Sequence, residues 1–159
     1  MKRMGFSIVL LLLANQGASA ATTVGNGALA LASVVAEYSS LLSGNEKRVM
    51  LQLFDGNLDF TPPPNTKITV QADAIICRAS NVDITSRSCN LTFGHTTIAV
   101  KGRKAHELFA TIVEMGVPSE GAAGTIHEGL SHLLCTIDLQ EIQQTSGGGA
   151  HCEFDAVAP

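Results

Sequence analysis

The segment His127-Glu128-Gly129-Leu130-Ser131-His132 holds two histidines and an acid within six residues, the ingredients of a helical zinc-hydrolase site. That chemistry needs imidazoles at i and i+4, so that both nitrogens leave one helical face around the metal. Here the histidines are five apart, about 140° round a helix and on opposite faces of a strand. Zinc is therefore not expected at His127 and His132. The cysteines Cys77, Cys89, Cys135 and Cys152 include no C-x-x-C pair, so neither a zinc knuckle nor a thioredoxin-type redox centre is expected. No metal ligand is assigned.

An acyl-transfer hydrolase needs an activated nucleophile, and no serine lies in a G-x-S-x-G elbow. Ser131 adjoins His132, but side chains at i and i+1 diverge, so adjacency does not assemble a triad. Paired glycosidase carboxylates depend on folded separation, which a sequence leaves open, although the shortage of rings for stacking sugars argues against them. Gly147-Gly148-Gly149 ahead of His151 would cradle a phosphate only at a helix start, whereas Cys152-Glu153-Phe154 reads as strand, so the run is read as a turn. No catalytic or cofactor-binding residue is assigned. Lys101, Arg103 and Lys104 form the dense basic cluster of the chain. At a helix start they oppose the dipole, an arrangement compatible with contact to an anion or an acidic partner. Asn90-Leu91-Thr92 fits the glycosylation sequon but falls in an expected strand and is discounted.

The compartment these residues work in is set by the first twenty. Lys2 and Arg3 precede the apolar run Phe6 to Ala14, and Ala18-Ser19-Ala20 offers a cleavage site that leaves Ala21 first. Residues 1–20 are read as a secretory signal peptide. The run is about ten residues, half of the roughly 20 that a membrane-crossing helix needs, so no membrane span is expected. The cysteines lie beyond the cut and would reach a periplasmic or secreted, oxidising environment where two disulfides persist. Losing Lys2 and Arg3 from ten basic residues, against 14 acidic ones, moves the formal charge from −4 to −6. A nucleic-acid partner, which needs a basic face, is not expected.

Local patterns supply the scaffold. Leu31, Val34, Val35, Tyr38, Leu41 and Leu42 recur at helical spacing between an N-cap at Asn26 and a stop at Gly44. Ser43-x-x-Glu46 is a capping box, followed by Val49, Met50, Leu53 and Phe54 on one helical face. The helix is preferred there over a strand from Arg48 to Phe54. Three prolines at 62–64 require extended chain, and Ile68, Val70, Ala72, Ala74 and Ile76 then alternate with polar residues as in a half-wet strand. A two-residue turn at Gly94-His95 opposes Phe93 to Thr96, Leu91 to Ile98 and Cys89 to Val100. Ala105, Leu108, Phe109, Ile112 and Val113 mark an amphipathic helix over about 102–115, capped by Gly116. Residues 119–124 read as a loop. A strand is expected to begin near Leu133, after an ambiguous 125–132, and a last one runs from Ala150 to Phe154.

Of three possible cysteine connectivities, local pairing of Cys77 with Cys89 and of Cys135 with Cys152 is the simplest. The expected fold is α+β, an antiparallel sheet of four to six strands with the 102–115 helix packed on it. It carries an N-terminal helical segment at 21–60 and a region with two disulfide-tied hairpins at 61–159, together one domain. By elimination, the expected function is an exported, non-catalytic binding or inhibitor-like module. It would engage a protein or small ligand outside the cytoplasm, with no cofactor. A small secreted hydrolase and an envelope structural or assembly component are the alternatives.

Overall fold

The alternating residues from Lys67 onward build a 14-residue strand, and its long partner is Thr125–Asp138, paired with it antiparallel along nearly its whole length. The computed structural model describes residues 19–57, 59, 61–80, 86–115, 120–122, 125–144 and 148–157. Along these the chain runs β1 (Ser19–Val24), α1 (Asn26–Tyr38), α2 (Gly44–Phe54), β2 (Lys67–Ser80), β3 (Ser88–Phe93) and β4 (Thr96–Lys101). It continues through α3 (Gly102–Glu114), β5 (Glu120–Ala122), β6 (Thr125–Asp138), α4 (Leu139–Gln144) and β7 (Ala150–Val157). The fold is α+β. Six strands follow the antiparallel order β1-β7-β6-β2-β3-β4, and the short β5 adds to the start of β6.

One face of this sheet is covered by helices. α1 packs on β2, β6 and β7, α3 packs on β2, β3, β4 and β6, and α2 packs on α1. A continuous buried cluster joins Leu31 and Val35 of α1, Met50 of α2, Leu108 and Ile112 of α3, and the inward residues of the strands. The opposite face is lined by polar residues such as Thr69, Gln71, Asn90, Thr97 and Glu153.

The disulfides join directly opposed residues. Cys77 faces Cys89 across β2 and β3, and Cys135 faces Cys152 across β6 and β7. All four are buried on the helical side. The sulfur of Cys152 lies 3.5 Å from the Ala28 carbonyl of α1, and that of Cys89 lies 3.6 Å from the Ala105 carbonyl of α3. These are packing contacts, because a half-cystine has no S–H to donate. The β3–β4 hairpin has the expected register, with Gly94 at φ 58 in its turn. α2 begins with both halves of the capping box, Ser43 Oγ accepting from Glu46 N and Glu46 Oε2 from Ser43 N.

Other expectations are corrected. β6 begins at Thr125, eight residues before Leu133, and 120–122 is strand rather than loop. The reason is that β2 extends to Ser80 and supplies ladder partners that propensity does not register: Arg78 pairs with His127 and Ser80 with Thr125. α1 stops at Tyr38 because the Ser39 hydroxyl accepts from Leu41 N, a local turn that competes with the helix. Leu41 is consequently 66% exposed. Gly25, not Asn26, is the N-cap of α1, and Met115 is the C-cap of α3; Gly116 lies outside the described residues. Phe54 and Val113 are exposed at the margins of their helices' apolar faces. The connection from β6 to β7 contains α4, whereas β3 and β4 are joined by a two-residue turn.

The alternation in β2 also breaks. Ile68, Val70 and Ala72 point inward, but the inward set then becomes Ile75, Cys77 and Ala79, leaving Ala74 and Ile76 half-buried on the other face. β6 changes phase beside it, from Glu128 and Leu130 to Leu133, Cys135 and Ile137. β7 keeps a single phase, so its register with β6 shifts between Ser131 and Leu134. The extra residue is absorbed at His132, whose φ of 52 is left-handed.

Gly149 opens β7 at φ 80, and a Cβ there would lie 2.7 Å from Ile142 N and 2.8 Å from Asp138 O. Gly149→Ala is expected to lose about 2–4 kcal/mol of stability, combining left-handed strain with backbone overlap. Gly56, at φ 72 with no described residue within 4 Å of its missing Cβ, isolates the strain alone, at about 1–2 kcal/mol for Gly56→Ala. Chemical denaturation of both variants checks this, and equal losses would refute the steric part.

Candidate functional site

The bulge at His132 brings together the residues closest to hydrolase chemistry. Asp155 on β7 places Oδ2 at 2.9 Å from His132 Nδ1, and Ser131 Oγ lies 3.4 Å from the same nitrogen. A triad requires the acid on Nδ1 and the nucleophile on Nε2, so the imidazole cannot relay a proton from this serine to that acid. The His132 side chain is 78% exposed. His127 sits in β6 opposite Arg78 and Glu120, and its side chain lies outside the described residues. Among the described residues, no three His, Cys, Asp or Glu side chains converge as a metal site.

A second cluster centres on a buried acid. Glu128 points inward from β6 at 1% exposure, and neither carboxylate oxygen has a hydrogen-bond partner among the described residues. Desolvation raises its carboxyl from 4.5 to about 7, and the Arg87 charge offsets part of that rise. Arg87 stacks 4.8 Å from the Phe109 ring centroid and donates from Nη1 to His106 Nδ1. Because guanidinium only donates, this His106 nitrogen is the unprotonated one. Sequence reasoning missed Glu128 as a buried acid, since a single acid in an ambiguous segment reads as exposed.

The basic cluster divides. Lys101 is exposed at the end of β4, and Arg103 pairs with Glu107 at 3.0 Å on α3. Lys104 reaches α1, with Nζ 2.6 Å from Glu37 Oε2, and this hydrogen bond is the main reason its ammonium titrates above the ordinary value. Lys104 thereby joins a groove that Lys101 and Arg103 do not line.

α1 lies between α2 and α3, and above it the two outer helices leave a concave channel. Ser33, Val34 and Glu37 of α1 form the floor of a cavity of about 400 Å³, and Lys104 and Glu107 of α3 form one wall. The other wall is α2, with Lys47, Arg48, Leu51 and Phe54. Phe54 also borders a second cavity of about 350 Å³ farther along α1, floored by Gly27 and Ala30 and walled by Thr111. Leu51 is 56% exposed and Phe54 46% exposed, so the α2 wall offers apolar surface to solvent. Lys47 Nζ donates to the Glu37 carbonyl at 3.3 Å, and Arg48 Nη2 donates to Asn45 Oδ1 at 3.0 Å. Neither cation forms an ion pair among the described residues.

A signal for this groove exists in the chain. Lys47, Leu51 and Phe54 recur at i, i+4 and i+7, a stripe of one cation and two apolar residues away from the buried face formed by Val49, Met50 and Leu53. No protein-family model matches the chain, and no curated protein or solved structure matches it either.

Proposed function

We propose that this chain is an exported, non-catalytic binding module that takes its ligand or partner outside the cytoplasm, in the channel above α1. The observation that carries the reading is the exposed Leu51 and Phe54 facing a concave cavity edged by Lys47, Arg48 and Lys104. Binding sites are commonly concave and mostly apolar, with a few charged groups that set orientation. The scaffold suits such a task. α1 rests on a sheet tied by two cross-strand disulfides, so its walls are held before any ligand arrives. The leader pattern and the use of all four cysteines in disulfides support export.

The test uses the mature, oxidised protein as bait in periplasmic or culture-supernatant extract, beside the double variant Leu51→Asp/Phe54→Asp. Both side chains are exposed, so the variant is expected to melt within a few degrees of the parent. A component retained by the parent and lost by the variant supports the reading. Equal retention by both proteins, or by neither, overturns it.

A further inference from the structure

Resting on that reading, we infer that the channel binds a free single-chain amphiphile with an anionic head, its apolar tail along α1 and its head at Lys47 and Arg48. The shape argues for a chain. The two cavities share Phe54 and follow α1 from Asn26 to Glu37, about 16 Å at 1.5 Å per residue. An extended hydrocarbon of about twelve carbons, with ordinary C–C bonds near 1.5 Å, has a similar length.

The charge pattern sets the direction. Lys104 is neutralised by Glu37, and Glu107 by Arg103, which leaves Lys47 and Arg48 as the cations without a carboxylate partner among the described residues at one end of the channel. The other end carries Glu114 beside Asn26 and Thr111, so an anionic head is favoured at the Lys47 end and repelled at the far one. Between them the lining is Val34, Leu51, Phe54, Leu29 and Ala30, surface that an acyl tail would cover.

The probe is carboxyl-labelled dodecanoate below its micellar concentration, titrated into the mature protein and followed by carbon NMR and calorimetry. Saturable binding of one equivalent is expected, with octanoate about tenfold weaker or more because four methylenes are lost. The charge reversal Lys47→Glu/Arg48→Glu is expected to weaken dodecanoate about tenfold and to improve dodecyltrimethylammonium. Ala30→Trp should block the tail, and Leu51→Asp gives an independent loss should the tryptophan unsettle α1. Dodecanoate and dodecyltrimethylammonium binding alike, indifferent to the charge reversal, would overturn the inference as nonspecific adsorption. Binding to anionic vesicles without binding to the monomer, or to an amphipathic helical peptide in its place, would overturn it too. If dodecanoate fails while the extract component is still lost with Leu51→Asp/Phe54→Asp, the amphiphile falls and the binding-module reading stands.

Discussion

Phe109→Ala is expected to lower the unfolding free energy by about 3–5 kcal/mol, the usual loss when a fully packed aromatic ring is removed. Phe109 is buried on the inward face of α3 with Ala105, Leu108 and Ile112, and Arg87 stacks on its ring. The truncation therefore removes a core contact and the surface that holds a guanidinium whose Nε is buried without a hydrogen-bond partner among the described residues. Thr111 is the internal control. It is half-buried, and its hydroxyl donates to the Glu107 carbonyl one turn back, a bond that does little for helix stability. Thr111→Ala should change stability by only a few tenths of a kcal/mol, within about 0.5 kcal/mol of the parent. Urea denaturation of the oxidised proteins checks both. Similar losses for the two would contradict the packing of α3.

Glu128 should make the protein less stable as pH rises. Its folded-state carboxyl titrates at about 7 instead of 4.5, so between these values the folded chain keeps a proton that the unfolded chain has released. A group raised in this sense leaves stability highest below about 4.5, decreasing as pH rises through 7 and level above it. The full excursion is about 3 kcal/mol at 1.36 kcal/mol per pKa unit. Glu128→Gln keeps the shape and cannot ionise. At pH 8.5 the variant should exceed the parent by a large part of that difference, and the advantage should vanish below about pH 4. A parent whose stability is flat between pH 5 and 8.5, or a variant with the same slope, would show that Glu128 does not set the profile.

The elements that were legible in the sequence are those stabilised by near neighbours. The capping box of α2 links Ser43 and Glu46 three residues apart, and the β3–β4 register follows from one turn and a period of two. The cysteine pairs join adjacent strands within 12 and 17 residues, so local pairing reached the right partners. Leu41 was misplaced because a serine hydroxyl competes with the next turn of α1, and the start of β6 was missed because its ladder is formed by residues about fifty positions earlier.

Short-range periodicity and local spacing therefore determine the α+β class, the bodies of α1, α2 and α3 and the β3–β4 register, since each depends on residues within a turn or a hairpin of one another. The phase change shared by β2 and β6 was decided only on folding. Ala74-Ile75-Ile76 is apolar at every position and fits either face, and the choice falls to Cys77, which must point where Cys89 points. Glu128 becomes a buried acid by the same shift, and the channel exists only because α2 and α3 both pack on α1 without closing over it. Depth of burial and the gap between two helices are properties of distances across the fold, which no spacing along the chain encodes.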